Sequence, residues 1–186
     1  MAKTFSEIDP KLQAWLTRQH LFFVASAPLA ADGLVNCSPK GLDALRVLGP
    51  RRVAYLDLTG SGVETIAHLS ENGRVVLMFC SFDAAPRIVR LHGTGRAHPA
   101  GSPEFTALLP HFSVLPGMRS IIEVDVTRVS DSCGFGVPRM TFDGERTTLT
   151  DHWQQKGDEA AAAYRVENNA RSLDGLPGLP QVDSLA

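Results

Sequence analysis

The chain has 186 residues and a mass of 20.1 kDa, with 44% hydrophobic and 20% charged residues, enough for one domain with a sizeable core and too little for two ordinary ones. A formal charge of −2 and a pI of about 6.3 argue against a duplex nucleic-acid binder, which would carry a basic surplus. Three widely spaced cysteines, Cys37, Cys80 and Cys133, suggest neither a disulfide framework nor a zinc site, no stretch approaches the roughly 18 apolar residues of a membrane span, and Met1–Pro10 lacks an apolar signal core, so a reduced, soluble, cytoplasmic protein with no nucleic-acid or membrane partner is expected.

The first helix is signalled by Asp9 as its cap, Pro10 at its first position, and Leu12, Trp15 and Leu16 on one face. β-like runs follow at Leu21–Ser26, Leu34–Ser38 and Arg52–Leu58, the first two joined as a hairpin through the turn-rich Pro28–Gly33. Val63–Ser70 predicts a short helix stopped by Asn72-Gly73. Strands at Arg74–Cys80 and Arg87–His98 are separated only by Ser81–Pro86, too short for a crossover helix, so they should be antiparallel. Pro103–Leu109 suits a short helix, and Ser120–Val129 alternates Ile122, Val124 and Val126 with polar residues as a strand does. Beyond it, Asp131–Gly144 reads as loop, Thr150–Asn169 as one alanine-rich helix, and Gly175–Pro180 with the last residues as an extended tail. Six short strands with small helices between them predict a mainly β, antiparallel barrel; a doubly wound sheet would need a β–α alternation that stops after Gly73.

Four segments could carry chemistry. In Tyr55-Leu56-Asp57-Leu58-Thr59-Gly60-Ser61-Gly62-Val63-Glu64-Thr65, a strand enters a Gly-Ser-Gly turn that opens a helix, and the hydroxyls of Thr59, Ser61 and Thr65 join the backbone N–H groups. That suits a phosphate, although by itself an ordinary capped turn is the commoner reading. The Gly-Lys-Ser/Thr ending of a P-loop is absent, and Thr65 stands where a dinucleotide fingerprint needs its third glycine. Asn36-Cys37-Ser38-Pro39-Lys40-Gly41 sets a hydroxyl and a cation on one strand end, suited to an anion or to a solvated lysine. In Arg87–Gly93 the alternation places Ile88, Arg90 and His92 on one face, so Arg90 either meets an anion or is an exposed cation. In Cys133-Gly134-Phe135-Gly136 two glycines bracket an aromatic residue, and Cys133 has no nearby histidine to activate it. The six histidines show no metal spacing.

In order and spacing these segments resemble the pyridoxamine 5′-phosphate oxidase-like superfamily over Phe5–Val129. Leu34–Gly41 resembles the strand along the flavin, Tyr55–Leu69 the strand–turn–helix at its phosphate, Glu71-Asn72-Gly73-Arg74 the "ENPR" step, and Arg87–Gly93 the "RQVRVxG" strand. The Cys133–Pro138 loop and the tail Asn168…Asp174-Gly175-Leu176-Pro177-Gly178 resemble an uncharacterised subgroup. The resemblance implies a six-stranded antiparallel split β-barrel of the FMN-binding type over residues 1–129, with a C-terminal extension over 130–186 packing on the barrel or on a partner subunit. It implies a homodimer with FMN between the subunits, acting as a flavin-dependent oxidoreductase on a small molecule.

FMN contacts are then expected from Asn36, Cys37, Ser38 and Lys40, and from Leu58, Thr59, Ser61, Gly62 and Thr65, with Ser38, Lys40, Ser61, Gly62 and Thr65 at or beside the phosphate. Arg90 would face the reduced ring or the phosphate, and Cys133, Gly134 and Phe135 would cover the ring from the partner. No catalytic acid or base stands out, and simple hydride transfer needs none. Ile88 replaces a glutamine of the family oxidases, Gly62–Thr65 lacks their basic Ser-Arg-Lys, and their C-terminal Arg-x-His and Trp-Pro elements have no counterpart, which argues against vitamin B6 oxidation. A non-enzymatic flavin or haem protein, with His92 or His68 as axial ligand, and a deazaflavin-dependent reductase are the alternatives.

Overall fold

The computed structural model describes residues 3–83 and 85–179. Among the described residues eight strands form one antiparallel sheet: β1 (Lys3–Phe5), β2 (Phe22–Ser26), β3 (Asn36–Lys40), β4 (Leu45–Gly49), β5 (Arg52–Leu58), β6 (Arg74–Cys80), β7 (Ile88–Pro99) and β8 (Met118–Ser132). Their order is β3-β2-β6-β7-β8-β5-β4, with β1 added to β8. The helices are α1 (Pro10–Leu16), α2 (Glu64–Asn72), α3 (Pro103–Leu108), α4 (Thr148–Lys156) and α5 (Asp158–Asn168). None of the helices among the described residues is long and apolar enough to cross a membrane.

Local chemistry explains most boundaries. Asp9 caps α1 by accepting the Leu12 N–H at 2.7 Å, and Leu12 and Leu16 are buried. Gly73 ends α2 in the left-handed region at φ 71°, where a side chain would also press on Thr94. The β2–β3 hairpin and the antiparallel β6–β7 pair form as expected. Alternate residues of β2, β5, β6, β7 and β8 line the barrel, with Val24, Tyr55, Leu77, Leu91 and Ile122 fully buried. The opposite faces of β5 and β8 are buried as well, because Ala54, Leu56 and Ile121 pack on Phe105 and Leu108 of α3.

The sequence expectation of six strands is corrected to eight. β1 is three residues long, too short for any periodicity, and β4 is five residues with a register shift between Val47 and Gly49. β3 begins two residues later than expected, leaving Leu34 and Val35 exposed, and it includes Pro39. As an edge strand it tolerates a proline, which lacks the N–H a central strand would use. β8 pairs with β1 and β7 as far as Asp131 and Ser132, so it crosses the 129/130 boundary and shortens the expected loop. The single helix expected over Thr150–Asn169 is two, separated at Gly157. Within the expected tail Arg171 bridges Pro177, and residues from 180 onward lie outside the described residues.

Candidate functional site

β3 and β4 are the two ends of the strand order and do not pair with each other, which leaves the barrel split between them. A cleft of about 280 Å³ lies there, walled by β3, the end of β5 and the start of α2. Asn36, Ser38 and Lys40 all line it because alternate residues of β3 point the same way. Asn36 Nδ2 donates to Thr65 Oγ1 at 2.9 Å, and Ser38 Oγ donates to Asn36 Oδ1 at 3.2 Å, which ties the strand to the first turn of α2.

Asp57 organises the charges. Its carboxylate accepts from Lys40 Nζ at 2.7 Å, from Arg119 Nε at 2.6 Å and from Ser120 Oγ at 3.3 Å. Burial opposes ionisation of Asp57, but Lys40 and Arg119 outweigh it and hold the carboxyl well below the usual carboxylate range. Arg119 is buried, whereas Lys40 keeps 21% of its side chain exposed to the cleft. Nearby, Tyr55 is fully buried; burial, reinforced by Asp57, raises its phenol pKa well above the ordinary value.

The C-terminal helices complete this wall from behind. Arg119 Nη1 donates to Asn169 Oδ1 at 2.9 Å, and Asn169 Nδ2 donates to Gly60 O at 3.0 Å. Trp153 Nε1 donates to Thr59 O at 2.9 Å, and Arg165 Nη1 donates to Thr59 Oγ1 at 3.1 Å. The Trp153 ring lies on Gly117, whose φ of 77° and close approach leave no room for a Cβ. At the mouth, Leu42 and Asp43 adopt positive φ values of 61° and 51°, and Glu145 accepts the Leu42 N–H at 3.2 Å. Two consecutive left-handed residues other than glycine mark a strained turn at the cleft.

Of the residues singled out in the sequence, Asn36, Ser38, Lys40, Leu58, Gly62 and Thr65 come together around the cleft. Thr59 is buried beneath its wall, held by Trp153 and Arg165. Ser61 is exposed on the turn, and Cys37 is exposed on the opposite face of β3, across from Ala25. Arg90 lies on the outward face of β7, between Met78 and Ser130 in register, with Nη1 donating to Ser132 Oγ at 3.2 Å. Cys133 is exposed, Gly134 packs on the Arg87 backbone, and Phe135 is 81% exposed; these three do not line their own subunit's cleft. His68 is buried with Nδ1 2.9 Å from Ser26 Oγ, His92 is half-buried, and neither lines the cleft.

Sequence reasoning missed Asp57, Arg119, Trp153, Arg165 and Asn169. One signal was available, since a carboxylate inside the apolar run Tyr55–Leu58 requires a buried cation. Its partner, 62 positions away, has no local signature.

A split antiparallel barrel with a cation-lined cleft is thus the class that fold and site define. Residues 8–133 match the family model described as Pyridoxamine 5′-phosphate oxidase. The chain is 42% identical over 194 aligned positions to the pyridoxamine 5′-phosphate oxidase family protein ustO of Aspergillus flavus, covering 94% of this chain and 77% of that one. It belongs to the pyridoxamine 5′-phosphate oxidase family. Among solved structures, a candidate pyridoxamine 5′-phosphate oxidase from Lactobacillus delbrueckii superposes with a TM-score of 0.53 at 21% identity, over 68% of this chain and 98% of that one. A variant of Group A Streptococcus HupZ superposes with a TM-score of 0.52 at 18% identity, over 67% and 99%. Both likenesses concern the fold.

Proposed function

We propose that the protein binds FMN in the split of the barrel and acts as a flavin-dependent oxidoreductase on a small molecule, as a homodimer. The observation that carries this reading is the polar wall of the cleft, where Lys40 and Arg119 converge on one buried carboxylate beside Asn36, Ser38 and Thr65. Lys40 and Arg119 set two cations against the one buried carboxylate of Asp57 on that wall, a local surplus suited to a phosphate, while Glu64 lines the helix end of the cleft. A bound flavin supplies the electron or hydride transfer, and the protein supplies position and electrostatics. Lys40 binds the phosphate from the solvent side, Arg119 holds the wall from within, and the Ser61–Gly62 turn borders it. Cys133–Phe135, which lie away from their own cleft, cover the flavin ring of the partner subunit on this reading, and Arg90 reaches the reduced ring or the phosphate only across the same interface. The half-buried Phe23 and Met78, directly opposite on β2 and β6, provide an outward apolar face for that partner.

Titrating purified protein with FMN, followed by its visible spectrum, tests the reading. Saturable binding is expected, with Lys40→Met weakening it roughly tenfold or more through loss of a charge-assisted hydrogen bond. Bleaching of the bound flavin by NADH or NADPH without oxygen would establish electron transfer. Uptake of haem or a deazaflavin with no response to FMN would overturn the proposal.

A further inference from the structure

A second cleft, of about 520 Å³, opens between the barrel and the C-terminal helices and shares Leu115 with the first. Phe105, Leu115, Met118 and Trp153 give it apolar walls drawn from α3, the loop before β8, the start of β8 and α4. Its charged groups are Arg165 and Asp158, both on α5. Arg165 is half-buried and donates to the neutral Thr59 hydroxyl; among the described residues it forms no ion pair. Burial and the neighbouring Arg119 lower its pKa, and the more distant Asp158 opposes them only in part. Asp158 is exposed two turns away, in the first turn of α5, where a carboxylate is stabilised by the helix dipole.

From this cleft we infer a binding site for a small organic acid with an aryl or alkyl body, its carboxylate on Arg165 and its apolar part between Trp153, Phe105 and Leu115. A half-buried guanidinium in no ion pair favours a carboxylate, which it can engage through two parallel hydrogen bonds, and the apolar walls reward a non-polar body. The site needs no flavin, so its failure leaves the flavin reading standing.

Trp15 and Trp153 are the chain's two tryptophans, so Trp15→Phe makes Trp153 the sole reporter of the cleft. Titration of that variant with phenylacetate is expected to change Trp153 emission saturably. Phenylacetamide, equal in shape but uncharged, should bind at least about tenfold more weakly. Arg165→Gln should abolish that contrast by weakening the acid and not the amide. Calorimetry on the wild-type chain reads the same acid–amide contrast without any substitution. Absence of saturable binding, equal affinity for acid and amide, or an acid–amide contrast that survives Arg165→Gln would each overturn the inference.

Discussion

A carboxylate with 4% of its side chain exposed survives inside a barrel only with counterions, and Asp57 has two, drawn from strands β3 and β8. Replacing it by asparagine leaves Lys40 and Arg119 facing each other across a partly dry wall. Asp57→Asn is expected to lower stability by about 3–5 kcal/mol, the usual cost of breaking a buried ion pair from one side, measured by urea unfolding at neutral pH. The sign of its pH dependence follows from the depressed folded pKa. Stabilisation by Asp57 is complete above the unfolded carboxyl's ordinary value near about 4, and fades as pH falls below it toward the folded value. Stability curves of wild type and variant should therefore converge on acidification; a constant gap down to strongly acid pH would refute this role. Lys40 itself was singled out in the sequence, as a cation at a strand end suited to an anion, but its pairing with Asp57 was not legible. Nor was the arginine side, because Arg119 reaches Asp57 only through strand pairing across 62 positions.

At the scale of elements, α4 and α5 are anchored by hydrogen bonds to Thr59 and Gly60 and by the Trp153 ring on Gly117. Gly117→Ala would place a methyl group into the indole and force alanine into the left-handed region, costing roughly 2 kcal/mol or more. The expected consequence is displacement of α4 with the barrel intact, read as faster tryptic cleavage after Lys156 at unchanged β-sheet circular dichroism. An unchanged cleavage rate would show that Gly117 does not hold α4. Long elements were readable from period and caps: α1 from Asp9-Pro10, α2 from its Gly73 stop, and the β6–β7 pair from its short link. β4 escaped because its partners on β5 lie across a turn that offers no Asn-Gly or Asp-Gly signal. The α4–α5 break escaped because one glycine inside an alanine-rich polar run is a weak stop.

For the whole molecule, the proposed homodimer predicts a mass near twice 20.1 kDa in light scattering after size exclusion. Met78→Glu, on the outward face beside Phe23, should shift it to the monomer and weaken FMN binding together with dimerisation. A monomeric wild type would remove the partner from the site. β8 carries the long-range order of the fold, since it pairs with β1, β5 and β7 along residues 118–132. During synthesis, more than a hundred residues must leave the ribosome before β1, β5 or β7 meets this strand. Until then the nascent chain holds β7 with one edge bare and Arg119 still absent from Asp57, so the cleft's charge balance forms late. Co-translational protection from proteolysis should thus appear abruptly once β8 emerges, and a chain arrested before residue 118 should depend on chaperones.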